Sequence, residues 1–318
     1  MSLDFLRSQF TISNGEPDMS SPQIDKEYKL SKNITDTGFL LIHKLAFFPE
    51  HLKRYLSFLD TSVKTEIDKT TVKGWSALHI ACKNGVTESV KLLLEHGSNV
   101  NLQENDGWSA LIMACRYSNT NSIETVKLLL NHPQINVNLQ DNEGWTGLMM
   151  ACRYSNTDSN IETVKLLLNN QSIDVNLQHK DGYTSLMMAC INCNTDSNIE
   201  TVKLLLNHPE INVNLRDNQY RTALIIACRN GNNVETVKLL LQHPKIQIDP
   251  SIFSYVEAND KDTDELISIL LDYINIDDID VDRIFLKYIK AVNKNKEFQR
   301  IQKLDLGSLL YHYGKKYI

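Results

Sequence analysis

The 318-residue chain is short of proline, with seven, and of cysteine, with six, and its 33 Lys and Arg are outnumbered by 39 Asp and Glu, a formal net charge of −6. Six cysteines are too few to staple a chain of this length, so a disulfide scaffold is excluded. Net negative charge repels a polyanion unless basic residues are segregated onto one face, which argues against nucleic acid as partner. No apolar run approaches the ~18 residues of a membrane helix, and the first thirty residues lack the apolar segment of a secretory signal. A cytoplasmic protein with no membrane partner is expected. The sequence also lacks G-x-S-x-G, a P-loop, G-x-G-x-x-G after a strand and H-E-x-x-H. No enzyme, no cofactor and no metal site is expected. Cys190 and Cys193 form a lone C-x-x-C without the second pair a structural zinc needs.

What the sequence has is self-similarity. GWSALHIAC from Gly74 returns as GWSALIMAC from Gly107, GWTGLMMAC from Gly144, GYTSLMMAC from Gly182 and YRTALIIAC from Tyr220. Five of the six cysteines end these copies, at Cys82, Cys115, Cys152, Cys190 and Cys228, spaced by 33, 37, 38 and 38 residues. Each copy is followed by V-K-L-L-L, from Val90, Val126, Val164, Val202 and Val237, and then by N-V-N or a relative around Val100, Val137, Val175, Val213 and Ile248.

These parts read as helix, turn, helix and extended loop. Ser76, Ser109, Thr146, Thr184 and Thr222 each precede a first helix, where a hydroxyl can accept an orphan backbone N–H. Leu111, Ala114 and Cys115 fall at i, i+3 and i+4, so one face combines a leucine with two small residues and admits a close neighbour. Helices of about ten residues are marginal alone in water. Stacking of neighbouring repeats must supply the core.

The unit resembles the ankyrin repeat, a 33-residue helix pair plus a β-turn finger with the signature T-P-L-H-x-A. Ser76-Ala77-Leu78-His79-Ile80-Ala81 is the nearest match, with Gly85, Leu93, Leu94, Gly97 and Asn99-Val100-Asn101 in register. The resemblance implies an all-α stack of helix-turn-helix pairs with β-turn fingers and divergent terminal caps. Residues 1–34 are expected to be disordered, 35–70 to form an N-terminal capping repeat through Ile42-His43-Lys44-Leu45-Ala46, 71–249 to hold five clear repeats, and 250–318 to form degenerate C-terminal repeats or a helical cap. Polar insertions of the type Tyr117-Ser118-Asn119-Thr120-Asn121 lie between the helices and are similar to those in ankyrin arrays of large DNA viruses and amoebae. A viral source would make the host cytoplasm the setting.

Three departures from the signature carry expectations. No copy has proline in its second position. Only His79 among the five copies holds the histidine, with Ile112, Met149, Met187 and Ile225 elsewhere, so the hydroxyl-to-imidazole tether cannot recur in them. Tyr220 replaces the finger glycine, and a non-glycine residue at positive φ costs roughly 1–2 kcal/mol, so that finger is expected to distort. His96, His132, His208 and His243 follow the second helices, where they suit the terminal carbonyls rather than a shared metal.

The resemblance also implies a concave surface that holds partners. Carried over by register, it comprises Trp75, Trp108, Trp145, Tyr183 and Arg221 from the fingers, with Lys83, Arg116 and Tyr117, Arg153 and Tyr154, and Arg229 after the first helices. Every tryptophan of the chain is in that set. Tryptophan, tyrosine and arginine dominate interface energetics, and such a strip suits an extended acidic or aromatic peptide. The alternative is that the rings brace adjacent fingers. The expected function is non-enzymatic protein–protein interaction by a monomer. The alternative is a substrate-recruiting adaptor, for instance of a ubiquitin ligase, docking through a terminal helix pair. Asn176 resembles, in its segment, the site that cytosolic asparaginyl hydroxylases modify, and is a candidate for hydroxylation; the competing reading gives it a turn-stabilising role.

Overall fold

A computed structural model describes residues 41–58, 67–117, 123–154, 160–191, 196–229 and 234–249, together with 252, 266, 269, 270 and 273. The segment expected to be disordered (1–34), most of that expected to form degenerate C-terminal repeats or a helical cap (250–318), and Cys193 lie outside them. The chain divides into two compact units, Met1–Ile226 and Ala227–Ile318.

The first unit is built from helix pairs: α1 Leu41–Leu45 and α2 Pro49–Phe58, α3 Ala77–Lys83 and α4 Thr87–Glu95, α5 Ala110–Arg116 and α6 Ile123–Leu130, α7 Gly147–Arg153 and α8 Asn160–Leu168, α9 Ser185–Ile191 and α10 Asp196–Leu206. The helix α11, Ala223–Arg229, crosses the division, and α12, Val234–Leu241, lies in the second unit. Among the described residues there is no strand, only an isolated bridge between Gln103 and Ser109. Two layers result, since α1, α3, α5, α7 and α9 pack on one another in sequence while α2, α4, α6, α8 and α10 form a second file.

The first helices start where the hydroxyls stand. Ser109 Oγ accepts from Ile112 N at 3.2 Å, Thr146 Oγ1 from Met149 N at 3.1 Å, Thr184 Oγ1 from Met187 N at 3.2 Å and Thr222 Oγ1 from Ile225 N at 3.3 Å. Such caps contribute about 1 kcal/mol each and replace the preset turn that proline would give. Close approach of the inner file follows from the alanine–cysteine pairs: Ala81 and Cys82, Ala114 and Cys115, Ala151 and Cys152, Ala189 and Cys190 are wholly buried. The tightness shows at Gly147, where an added Cβ would meet Cys115 Sγ at 3.2 Å.

At Ser76 the hydroxyl meets His79 Nδ1 at 2.9 Å and the Ser76 N–H donates to the same nitrogen at 3.1 Å, while His79 Nε2 meets Leu102 O at 3.0 Å. The imidazole therefore ties the helix start to the approach of the next finger. His43, buried in α1, makes the equivalent bond to Lys69 O at 2.8 Å, so the imidazole-to-carbonyl half of the tether occurs in two repeats.

Fingers stack by backbone bonds: Asn105 N donates to Lys73 O, Asn142 N to Asp106 O, Lys180 N to Glu143 O and Asn218 N to Asp181 O, at 2.9–3.1 Å. Gly74, Gly107, Gly144 and Gly182 have φ of 82–88°. A Cβ on any of them would also come within 2.8 Å of an atom of the next finger. Tyr220 has φ 60° and is 75% exposed. Contrary to expectation its finger is not distorted: Tyr220 N still donates to Asp217 O and Asp217 N to Arg221 O, both at 2.9 Å. The two turn bonds hold the tyrosine in the left-handed region despite the strain.

The N-V-N segments act between repeats as well as within them. The first asparagine closes a local turn, as where Asn101 N donates to Asn99 Oδ1 at 3.0 Å. The second reaches forward: Asn138 Nδ2 donates to Ser172 O at 2.7 Å while its Oδ1 accepts from Asp174 N at 2.8 Å, and Asn101 does the same with Gln134 and Asn136. Asp68 begins this series by accepting from Asn99 N. Gln103, Gln140 and Gln178 form a parallel ladder, each donating to its own finger and to a carbonyl 37 or 38 residues on.

Candidate functional site

The residue after each finger glycine is placed by an acceptor four positions earlier. Trp75 N donates to Thr71 Oγ1 at 3.1 Å, Trp108 N to Glu104 Oε1 at 3.0 Å, Trp145 N to Asp141 Oδ1 at 2.8 Å and Arg221 N to Asp217 Oδ1 at 2.8 Å. In the fourth finger His179 holds this position, but its Nδ1 accepts from Asp181 N, two residues on, at 2.8 Å. These acceptors are all buried. Burial pushes the Glu104 and Asp141 carboxyls above their usual range, opposed by the backbone N–H groups they accept. The Trp75 indole also hydrogen-bonds the Glu104 carboxylate, which pins one finger's ring to the next finger.

The cations at the ends of the first helices lie on these rings. Lys83 Nζ is 4.6 Å from the Trp75 centroid and 5.4 Å from that of Tyr117. The Arg116 guanidinium carbon is 5.2 Å from Tyr117 and 3.5 Å from Tyr154. That of Arg153 is 4.9 Å from Trp145 and 5.6 Å from Tyr154. A file thus runs Trp75, Lys83, Tyr117, Arg116, Tyr154, Arg153, Trp145, with Trp108 against Tyr117 at 6.3 Å. The cation–ring attraction is worth about 0.5–1 kcal/mol per contact at exposed sites. Burial lowers the Lys83 pKa, and the charge of Lys73 lowers it further.

Beyond Trp145 the chemistry changes. His179 bridges Trp145 and Tyr183, with centroids 4.9 and 5.2 Å away. Arg221 is 7% exposed, bonded to Asp217 through Nε and NH2 at 2.7 and 2.6 Å and to the Tyr183 hydroxyl. Burial acts to lower its pKa, but Asp217 and Tyr183 hold the guanidinium more firmly protonated than usual. The register of Lys83, Arg116 and Arg153 holds Ile191 in the fourth repeat. Arg229 lies in the second unit and is exposed. Asn176 donates from Nδ2 to Glu210 O and accepts from Asn212 N, both at 2.8 Å, so its amide is a bridge between repeats.

Sequence reasoning passed over His179, the acidic acceptors and the glutamines. The acceptors share an i, i+4 spacing to the aromatic residue, and the glutamines end a recurring N-V-N-L-Q, so extending the repeat by two residues would have found them. Among the outer-helix histidines only His96 contacts a helix carbonyl, Leu92 O at 2.8 Å. His132, His208 and His243 instead accept the N–H two residues on, at Gln134, Glu210 and Lys245. No group of three metal-binding side chains, and no helix long and apolar enough to cross a membrane, occurs among the described residues.

A family model described as "Ankyrin repeats (3 copies)" matches residues 45–141, 96–174, 119–217 and 148–253. Among solved structures, that titled "Crystal Structure of EF0377 an Ankyrin Repeat Protein" is similar, with a TM-score of 0.56, 27% identity, and coverage of 64% of this chain and 96% of the other. A comparison with curated proteins gives no match.

Proposed function

Because the chain belongs to the ankyrin repeat family, whose repeats mediate protein–protein interaction, we propose that it is a non-catalytic binding protein of the cytoplasm that holds a partner protein across the faces of successive repeats. The observation that carries this reading is the file of alternating rings and cations from Trp75 to Trp145, which uses the same finger and helix-end registers in three successive repeats. Packing alone does not require it, because the cores beneath are closed by leucine, alanine and cysteine. Bracing and binding are compatible here. A cation resting on a ring has lost side-chain freedom before any partner arrives, so less entropy is lost on binding. Within the first unit Tyr183 and Arg221 continue the surface, with Arg221 acting mainly by fixing the Tyr183 ring. Hydroxylation of Asn176 would fall on an amide that bridges two repeats and is a separate proposal.

The experiment is comparative affinity purification with mass spectrometry, wild type against a variant with Trp108, Trp145, Arg116 and Arg153 replaced by alanine. Loss of specific partners with an unchanged helical signal is the expected result. Unchanged capture by the folded variant refutes the placement of the site. The adaptor reading depends on residues 279–318, which lie outside the described residues.

A further inference from the structure

We infer that the partner engages this face through carboxylates rather than aromatic anchors, and that its footprint is the three repeats from Trp75 to Tyr154; the inference rests on the proposed use of the face. Ring faces are the first ground. An aromatic anchor needs an open face to stack on, yet Trp75, Tyr117, Tyr154 and Trp145 each already carry one or two cations. Trp145 has the His179 ring against it as well, and Trp108 lies against Tyr117. What the file offers instead is cations already seated on rings, among them the planar guanidinium of Arg116, whose fork suits bidentate carboxylate recognition.

Charge is the second ground. Neither Lys83 nor Arg116 has a carboxylate partner among the described residues. The nearest acidic side chains in the finger bases, Glu104 and Asp141, are buried and turned onto backbone N–H groups. Burial, and then the charge of Lys73, lower the Lys83 pKa, and an arriving anion would act in the opposite sense.

The third ground is where the pattern stops. Ile191 interrupts the cations, and the Arg221 charge is answered internally by Asp217 at 2.6 Å. The file of helix-end cations on rings therefore stops at Arg153, and the footprint ends with the third repeat.

The test uses the full-length chain and fluorescently labelled synthetic peptides of equal length, one alternating Glu and Ser, one alternating Phe and Ser, with a single-stranded DNA oligonucleotide as a third probe. The Glu-Ser peptide is expected to bind best, to weaken several-fold when salt is raised from about 50 to 300 mM, and to lose roughly tenfold for each of Arg116→Gln and Arg153→Gln. Arg116→Lys should recover part of the loss, because it restores charge without the planar fork. Lys203→Gln removes the same charge from the outer helix α10 and should change nothing. Tighter, salt-insensitive binding of the Phe-Ser peptide that Trp108→Ala abolishes would overturn the carboxylate assignment while sustaining use of the face. Preferential binding of the oligonucleotide, or equal losses in Lys203→Gln, would overturn it too, as would failure of all three probes. The use of the face itself is judged independently by the purification experiment. Each variant is checked for an unchanged helical signal.

Discussion

Lowering the pH should weaken the fold through one buried imidazole. His79 is 1% exposed, its Nδ1 accepts from the Ser76 N–H and hydroxyl, and its Nε2 donates to Leu102 O. A proton on Nδ1 would break the bond from the Ser76 N–H, force the Ser76 hydroxyl to turn from donor to acceptor and place a charge in the core. Burial accordingly pushes the pKa down from 6.5 to about 4, against the smaller upward pull of the Leu102 and Trp108 carbonyl contacts. The unfolded chain takes up this proton near 6.5 and the folded chain only near 4. Stability from the neutral tether is thus fully present above about pH 6.5 and is lost as the pH falls towards 4, by about 1.4 kcal/mol per unit and about 3 kcal/mol in all. Asp68, Glu104 and Asp141 have raised values, led by burial, and act in the opposite sense as they take up protons. They are common to wild type and His79→Met, so the difference between the two chains isolates the imidazole. Urea unfolding between pH 7.5 and 4.5 should show the wild-type advantage shrinking with acid. An NMR titration of His79 in the folded chain gives the direct check: titration near 6.5, or a pH-independent difference between the chains, refutes the reasoning.

Three further perturbations follow from the geometry. Gly107→Ala should cost about 2 kcal/mol or more, since φ is 85° and a Cβ would meet Asn142 N at 2.5 Å, whereas Tyr220→Gly should range from neutral to about 1 kcal/mol stabilising, as relief of strain is offset by added unfolded-state freedom; paired thermal melts decide. Asn138→Ala removes both bonds to the 172–174 segment and should cost about 1–2 kcal/mol, with a broader unfolding transition because coupling between neighbours is what makes a repeat array cooperative; a transition as sharp as wild type would count against the bridge. Cys82, Cys115, Cys152 and Cys190 are wholly buried, and Cys228 is pushed up to about 12 by burial. Mass spectrometry after iodoacetamide treatment at about pH 8 should show these five unmodified in the native chain and modified in urea.

The parts of the fold that were legible in sequence are those fixed by short-range rules. Ser109 and Thr146 announce helix starts because a hydroxyl three residues before an N–H can reach it, and Gly107 announces a left-handed turn because other residues pay to enter one. Its second cause, the backbone of the next finger at Asn142, is invisible locally. The bridges of Asn138 and Gln140 were illegible for the same reason: their partners lie 34 to 38 residues on, and nothing within one repeat says which way an exposed amide will turn. The site follows the same division. Periodicity put Trp75, Trp108 and Trp145 in one register with Lys83, Arg116 and Arg153 beside them, but it gave Arg221 the same standing. What separates them is pairing: Asp217 stands four residues before Arg221, so its carboxylate meets both the backbone N–H and the guanidinium of the residue it positions. Glu104 and Asp141 hold the same register, yet the residues they position carry indoles, and the cations stay on the helix ends, facing outward from the rings. One substitution, a guanidinium for an indole four residues after the acid, thus puts an internal ion pair where the earlier fingers carry a ring, and this is why Arg221 shares the register of the tryptophans without sharing the part proposed for them.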